Sequence, residues 1–170
     1  EHGHATFEIE TSKAIGIQLI RHRSFSFQEF SQRYQDVNRL ESIFEPIELR
    51  AQCEDNRQSS TEVINPKFDI MGVVSYPAND AIERHLESCQ TLYNRLLEAG
   101  VAREQARMVL PLATKTKIHM TGSIRSWIHF LELRDDDHAQ KEIQLVAKEI
   151  KRIFIKEFPT ISNALKYEVK

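Results

Sequence analysis

Arg21-His22-Arg23 is the densest cationic feature of the chain. Ser31-Gln32-Arg33 follows after seven residues, with Glu29 between them. Guanidinium groups fork onto phosphate or carboxylate in bidentate fashion. Serine hydroxyls and loop N–H groups complete a phosphate cradle. For an isolated triplet of this kind the default is a solvated basic helix end, because cations favour a helix C-terminus. Here the triplet closes an apolar stretch and meets a Phe-rich segment, where uncompensated charge is costly.

Further arginines and histidines stand in apolar surroundings. Arg107 lies inside Ala106-Arg107-Met108-Val109-Leu110-Pro111-Leu112, where it either pairs with a buried carboxylate or aims at a ligand. Arg134 closes Trp127-Ile128-His129-Phe130-Leu131-Glu132-Leu133, and its default role is to serve the last helical carbonyls. Arg125 and His129, four apart, share a helix face. His138 opens the next helix, where a core or capping role is the commoner fate. His2-x-His4 places two imidazoles on one side of a strand, and with His138 they give a minor reading as a metal-dependent hydrolase. Phe25, Phe27 and Phe30 read as a stacking platform for bases or as plain core. Ser31 and His22 imitate a nucleophile and base, yet no G-x-S-x-G elbow surrounds Ser31. A Walker A loop and a Rossmann glycine fingerprint are both absent, so a nucleotide site would be built from arginines.

Alternation from Ala5 to Glu10 reads as a half-buried strand, followed by a Thr11/Ser12 cap and a buried helix from Lys13 to His22. Gln18, Arg21 and His22 fall on one face of that helix. Arg23 to Arg33 reads as a loop and Tyr34 to Asn38 as a strand. From Leu40 to Pro77 the chain reads as long loops punctuated by Pro46, Pro66 and Pro77. Helices are expected from Asn79 to Ala99, stopped by Gly100, and from Arg103 to Leu110. A strand follows from Lys115 to Met120, then a Ser123-capped helix to about Leu133. Asp137 and Gln140 form a cap-like pair for a last helix to about Phe158. The result is an α+β chain, a small sheet flanked by helices, in one domain spanning residues 1–170.

The 170 residues carry 23 basic and 25 acidic side chains, a net charge of −2. That balance argues against whole-chain attachment to nucleic acid or an anionic membrane, and leaves a local basic pocket open. No apolar run approaches the ~20 residues of a membrane span. Cys53 and Cys89 exclude a disulfide scaffold and read as reduced cytoplasmic thiols, neither in a convincing activated setting. The chain opens Glu1-His2-Gly3-His4 without Met, already close to a strand, so further sequence upstream is expected.

Taken together, these residues resemble the flavin-dependent thymidylate synthases, the ThyX family. Arg21-His22-Arg23, seven residues and Ser31-Gln32-Arg33 match that family's signature in order and spacing. Glu104-Gln105-Ala106-Arg107-Met108-Val109-Leu110-Pro111-Leu112 is similar to its E-x-A-R-x-x-L-P-L block. Thr121 to Phe130, with Leu133-Arg134 and His138-Ala139-Gln140, resembles its C-terminal block. Asn56-Arg57-Gln58 looks like a loop found in some viral and bacterial members. Two departures stand out. Ser123 occupies a place where many members have Asn. The family's N-terminal portion, which includes a histidine-containing FAD-contacting segment, precedes the point that Glu1 matches, so a fragment or a shortened homologue is expected.

The resemblance implies a ThyX-like fold and roles residue by residue. Gln18, Arg21, Glu29, Phe30, Ser31, Gln32, Arg33, Arg107 and Arg134 match positions that bind dUMP. Arg21, His22, Arg23, Glu29, Ser123, Ile124, Arg125 and His129 match positions that bind FAD. Arg134 also matches the residue thought to favour ionisation of uracil N3, and is the implied catalytic residue. The implied reaction is methylation of dUMP to dTMP, with methylenetetrahydrofolate as carbon donor and NADPH reducing FAD. The implied assembly is a cytoplasmic homotetramer with sites shared between subunits, with no metal, nucleic acid or membrane partner. The alternative is a non-catalytic homologue that binds nucleotide or RNA through the same arginine cluster.

Overall fold

The computed structural model describes residues 2–34, 36–39, 42–57, 59–70 and 74–168. Apolar–polar alternation makes His4–Ser12 the first strand, β1, with Ile9 on its buried side. Ser12 ends the strand and caps α1 (Lys13–Leu19), its hydroxyl accepting from the Ile15 N–H at 3.4 Å. The apolar side of α1 buries Ile15, Gly16 and Leu19. A tight turn through Arg21–Ser24 leads into β2 (Phe25–Glu29). Two small hairpins follow, β3 (Arg50–Gln52) with β4 (Ser60–Val63), and β5 (Lys67–Ile70) with β6 (Val74–Pro77). α2 (Ala78–Glu98) ends where Gly100 takes φ +82°, with the Gly100 N–H bonded to Leu97 O and the Val101 N–H to Leu96 O. That pair of bonds satisfies the last carbonyls, and the positive φ is the reason for glycine. α3 (Arg103–Ala106) tightens into a 3-10 turn over Arg107–Val109. Then come β7 (Lys115–Ser123), α4 (Ile124–Arg134), α5 (Lys141–Glu157) and α6 (Pro159–Ala164).

β7 is the centre of an antiparallel sheet ordered β1-β7-β2. Thr116, Ile118, Met120 and Gly122 alternate inward along it. The main core lies where this sheet meets α1, α4 and α5, and contains Leu19, Ile118, Met120, Trp127, Phe130, Ile143 and Phe154. A second cluster, Val37, Ile43, Tyr93 and Ala106, holds α2 and α3 beside the loop after β2. Mixed helix and small antiparallel sheet is the α+β class expected.

Several elements differ from the sequence pattern. Arg23 to Arg33 contains β2, because Phe25 and Phe27 alternate into the main core with Ser26 and Gln28 outside. Those phenylalanines are partly buried, Phe25 and Phe27 against the main core and Phe30 against the second cluster. Within Tyr34 to Asn38 the described residues form no strand; Val37–Arg39 is a 3-10 turn. Leu40 to Pro77 carries two hairpins too short to show periodicity. α1 stops at Leu19, three residues before His22. The Asp137–Gln140 cap pair does not form: Gln140 makes no side-chain cap bond, and Asp136 accepts the His138 N–H at 2.8 Å.

Candidate functional site

Ending α1 at Leu19 places Arg21-His22-Arg23 in a turn. The His22 N–H bonds Leu19 O at 3.1 Å, and the Phe25 N–H bonds His22 O at 3.3 Å. Gln18 and Arg21 line a cleft of about 620 Å³ together with Glu132, Arg134, Asp136, His138 and Gln140. Gln18 Nε2 donates to Gln140 Oε1 at 2.6 Å, tying α1 to the segment before α5. Arg134 does not serve the helix-end carbonyls. Its Nε donates to His22 Nε2 at 3.0 Å. The His22 pKa is lowered from the ordinary 6.5 to about 4, first by burial, then by the charges of Arg134 and His129. His22 is therefore neutral near pH 7, and its Nε2 is the unprotonated nitrogen. Burial also draws the Arg134 pKa down, though a guanidinium stays charged. Among the described residues Arg21, Arg23 and Arg134 have no carboxylate partner.

α4 joins the implied cofactor positions. Ser123 ends β7 and caps α4, its Oγ accepting from the Ser126 N–H at 3.1 Å. Ser123 thus has a structural task. The Ile124 N–H bonds Gly3 O at 3.0 Å, fixing the helix start beside β1. Arg125 and His129 are both exposed on α4, and Arg134 closes the same helix.

A second group forms around Glu104. Arg33 Nη2 reaches Glu104 Oε2 at 3.2 Å, and Arg107 Nε donates to the Glu104 backbone oxygen at 3.4 Å. Arg107 is thus bound to a carbonyl, neither buried against a carboxylate nor lining the cleft. Arg33 also stands 5.3 Å from the Tyr34 ring. Ser31 begins the turn, its carbonyl accepting the Tyr34 N–H at 3.1 Å, and the Phe30 N–H bonds Lys117 O at 2.8 Å. Gln32 is 6% exposed and its Nε2 has no partner. Ser31, Arg33 and Arg107 do not line the Arg21–Arg134 cleft. Glu29 is engaged elsewhere, accepting from Lys13 at 2.7 Å and from the Thr116 hydroxyl at 2.8 Å.

The structure therefore gathers Gln18, Arg21, His22 and Arg134 in one place and Arg33 with Arg107 in another. Gln140, Glu132, Asp136 and Glu104 were not singled out as site residues. The signal for Glu104 was its place three residues before Arg107; for Gln140 it was the block that also holds His138. Ser31 and His22 do not pair, since His22 is bonded to Arg134. Among the described residues no group of three or more His, Cys, Asp or Glu could hold a metal ion. No described helix is long and apolar enough to cross a membrane. In Asn56-Arg57-Gln58, Gln58 lies outside the described residues, while Asn56 O accepts from Gln52 and Ser59 in the β3–β4 turn.

The sequence profile of the family described as thymidylate synthase complementing protein matches residues 1–160. A probable flavin-dependent thymidylate synthase of Paramecium bursaria Chlorella virus 1 is 44% identical over 160 residues, 94% of this chain and 70% of that protein. The flavin-dependent thymidylate synthase of Synechocystis is 42% identical over 162 residues, 95% of this chain and 71% of the relative. That of Thermosipho africanus is 35% identical over 179 residues, 100% of this chain and 75% of the relative. The paired arginine motifs and these matches lead to one conclusion: the chain belongs to the thymidylate synthase complementing protein family, the flavin-dependent thymidylate synthases.

Proposed function

We propose that this chain is a single ThyX-like domain that methylates dUMP to dTMP in the cytoplasm, with FAD as cofactor. Methylenetetrahydrofolate gives the carbon and becomes tetrahydrofolate. NADPH gives the two electrons and is released as NADP+. The observation that carries the reading is the cleft in which Arg21 and Arg134 stand without carboxylate partners among the described residues, joined to a neutral His22. Such a donor set fits an anionic nucleotide, since the Arg21 and Arg134 guanidinium groups are not neutralised by a carboxylate among the described residues. The same donor chemistry fits a flavin dinucleotide. Arg21, His22, Arg23, Ser123, Ile124, Arg125 and His129 would hold it, Glu29 being occupied by Lys13 and Thr116. When bound and reduced by NADPH, the flavin would supply the hydride that turns the transferred carbon into a methyl group.

The chain's own residues bind and polarise. Gln18, Arg21 and Arg134 meet the uracil side of dUMP, and Phe30, Ser31, Gln32, Arg33 and Arg107 take its sugar and phosphate. Uracil C5 becomes a better nucleophile when negative charge spreads through the ring as N3 loses or shares its proton. A fixed guanidinium beside the ring stabilises that charge without reorganising. Arg33 and Arg107 stand apart from the cleft and beside exposed Tyr34 (71%) and Met108 (75%). A homotetramer in which the phosphate-binding Arg33 and Arg107 of one subunit complete another subunit's cleft accounts for both facts.

Purified protein is expected to be yellow and to bind dUMP. Colourless protein that binds dUMP or RNA but no flavin would favour the non-catalytic homologue instead.

A further inference from the structure

Arg134 lines the cleft, and His22, which binds it, does not. A guanidinium only donates, so the 3.0 Å contact from Arg134 Nε requires a lone pair on His22 Nε2 and puts the imidazole proton on Nδ1. The ring is held edge-on by Phe130 at 5.1 Å and by Phe25 at 6.2 Å. Phe25 in turn lies 4.7 Å from Trp127 and against Gly122, where a Cβ would come within 2.4 Å of its ring. The bond occupies Nε, the donor nearest the aliphatic stem, and leaves the two terminal amino groups of Arg134 for the cleft.

We propose that His22 is a positioning residue: its Nε2 fixes the plane of the Arg134 guanidinium so that the terminal pair faces the pyrimidine of a bound uridylate. The inference rests on the reading of the cleft given above. It gives His22 a task in addition to its place in the flavin set. An arginine that must present a planar fork gains from a third point of attachment, because an unpinned guanidinium swings about its last torsions.

The test combines a spectroscopic and a kinetic readout. Nitrogen-15 NMR of the protein without nucleotide is expected to show His22 as the Nδ1–H tautomer, reverting to Nε2–H in Arg134→Ala. For turnover and dUMP titration the variants are His22→Leu, His22→Gln, Arg134→Ala and His22→Leu/Arg134→Ala, with flavin content measured in each. His22→Leu is expected to lower kcat about tenfold or more while dUMP affinity changes less than about threefold. His22→Gln, whose amide oxygen can accept from Nε, recovers most of the loss. The double variant is no worse than Arg134→Ala alone. An Nε2–H tautomer in the unaltered protein, full turnover in His22→Leu, additive losses in the double variant, or a His22→Leu defect explained by flavin loss would each overturn the proposal alone. Unchanged dUMP binding and turnover in Arg134→Ala would remove the reading of the cleft and this inference together.

Discussion

At the scale of single residues, the motif was legible but its internal bonding was not. Arginine and serine spacing pointed to a candidate site before any fold was known. Nothing in the sequence said that Arg134 would use its Nε on His22, since the contact spans 112 positions and depends on α1 ending early. The burial of His22, and then the charge of Arg134 beside it, have a consequence for stability. The folded His22 pKa of about 4 lies below the ordinary 6.5, so the unfolded chain takes up the proton first. The stabilising contribution is complete above pH 6.5 and is lost as pH falls through 4. Thermal unfolding between those values should show a steeper loss of Tm in the parent than in His22→Gln; equal slopes would contradict the assignment. Arg33 gives the opposite separation. Its partner Glu104 is half-exposed, as Arg33 is (49% and 50%), and such a surface pair contributes about 0–1 kcal/mol. A charge-assisted bond to a phosphate contributes roughly 1.5–3 kcal/mol. Arg33→Ala should therefore leave Tm nearly unchanged and weaken dUMP binding about 10-fold to 100-fold in a calorimetric titration. Ser31→Ala should weaken it less.

At the scale of elements, long periodic helices were readable and short strands were not. α2, α4 and α5 have enough turns for an apolar stripe to stand out, and Ser12, Ser123 and Gly100 act as the caps and stop their types imply. β2 was hidden because five residues of Phe, Ser, Gln and Glu carry little periodic signal, and its pairing partner β7 lies far along the chain. The hairpins β3–β4 and β5–β6 were hidden for the same reason. The junction of β7 with α4 is the element most sensitive to change. Ser123→Ala removes the cap and should cost about 1 kcal/mol. Gly122→Ala should cost more, roughly 1–3 kcal/mol, because its Cβ would strike a Phe25 ring already pressed on Trp127. Chemical denaturation checks both. Equal stability of Gly122→Ala and the parent would show that Phe25 can move aside.

At the scale of the whole molecule, the α+β class was legible from the mixture of patterns, whereas the separation of Arg33 and Arg107 from the Arg21–Arg134 cleft was not. Sequence order places all four arginines in one family pattern; only the fold shows that they stand in two groups. Light scattering of flavin-bound protein should give four times the mass of one chain, and a flavin-bound monomer would contradict subunit sharing. The central claim is thymidylate formation by bound flavin. Its most direct measurement is conversion of dUMP to dTMP by purified protein supplied with FAD, methylenetetrahydrofolate and NADPH. The account predicts dTMP in excess over protein, none when FAD is withheld, and almost none with Arg134→Ala that still binds and reduces its flavin. Flavin-loaded protein that binds dUMP yet forms no dTMP, or dTMP formation that continues without flavin, would contradict it.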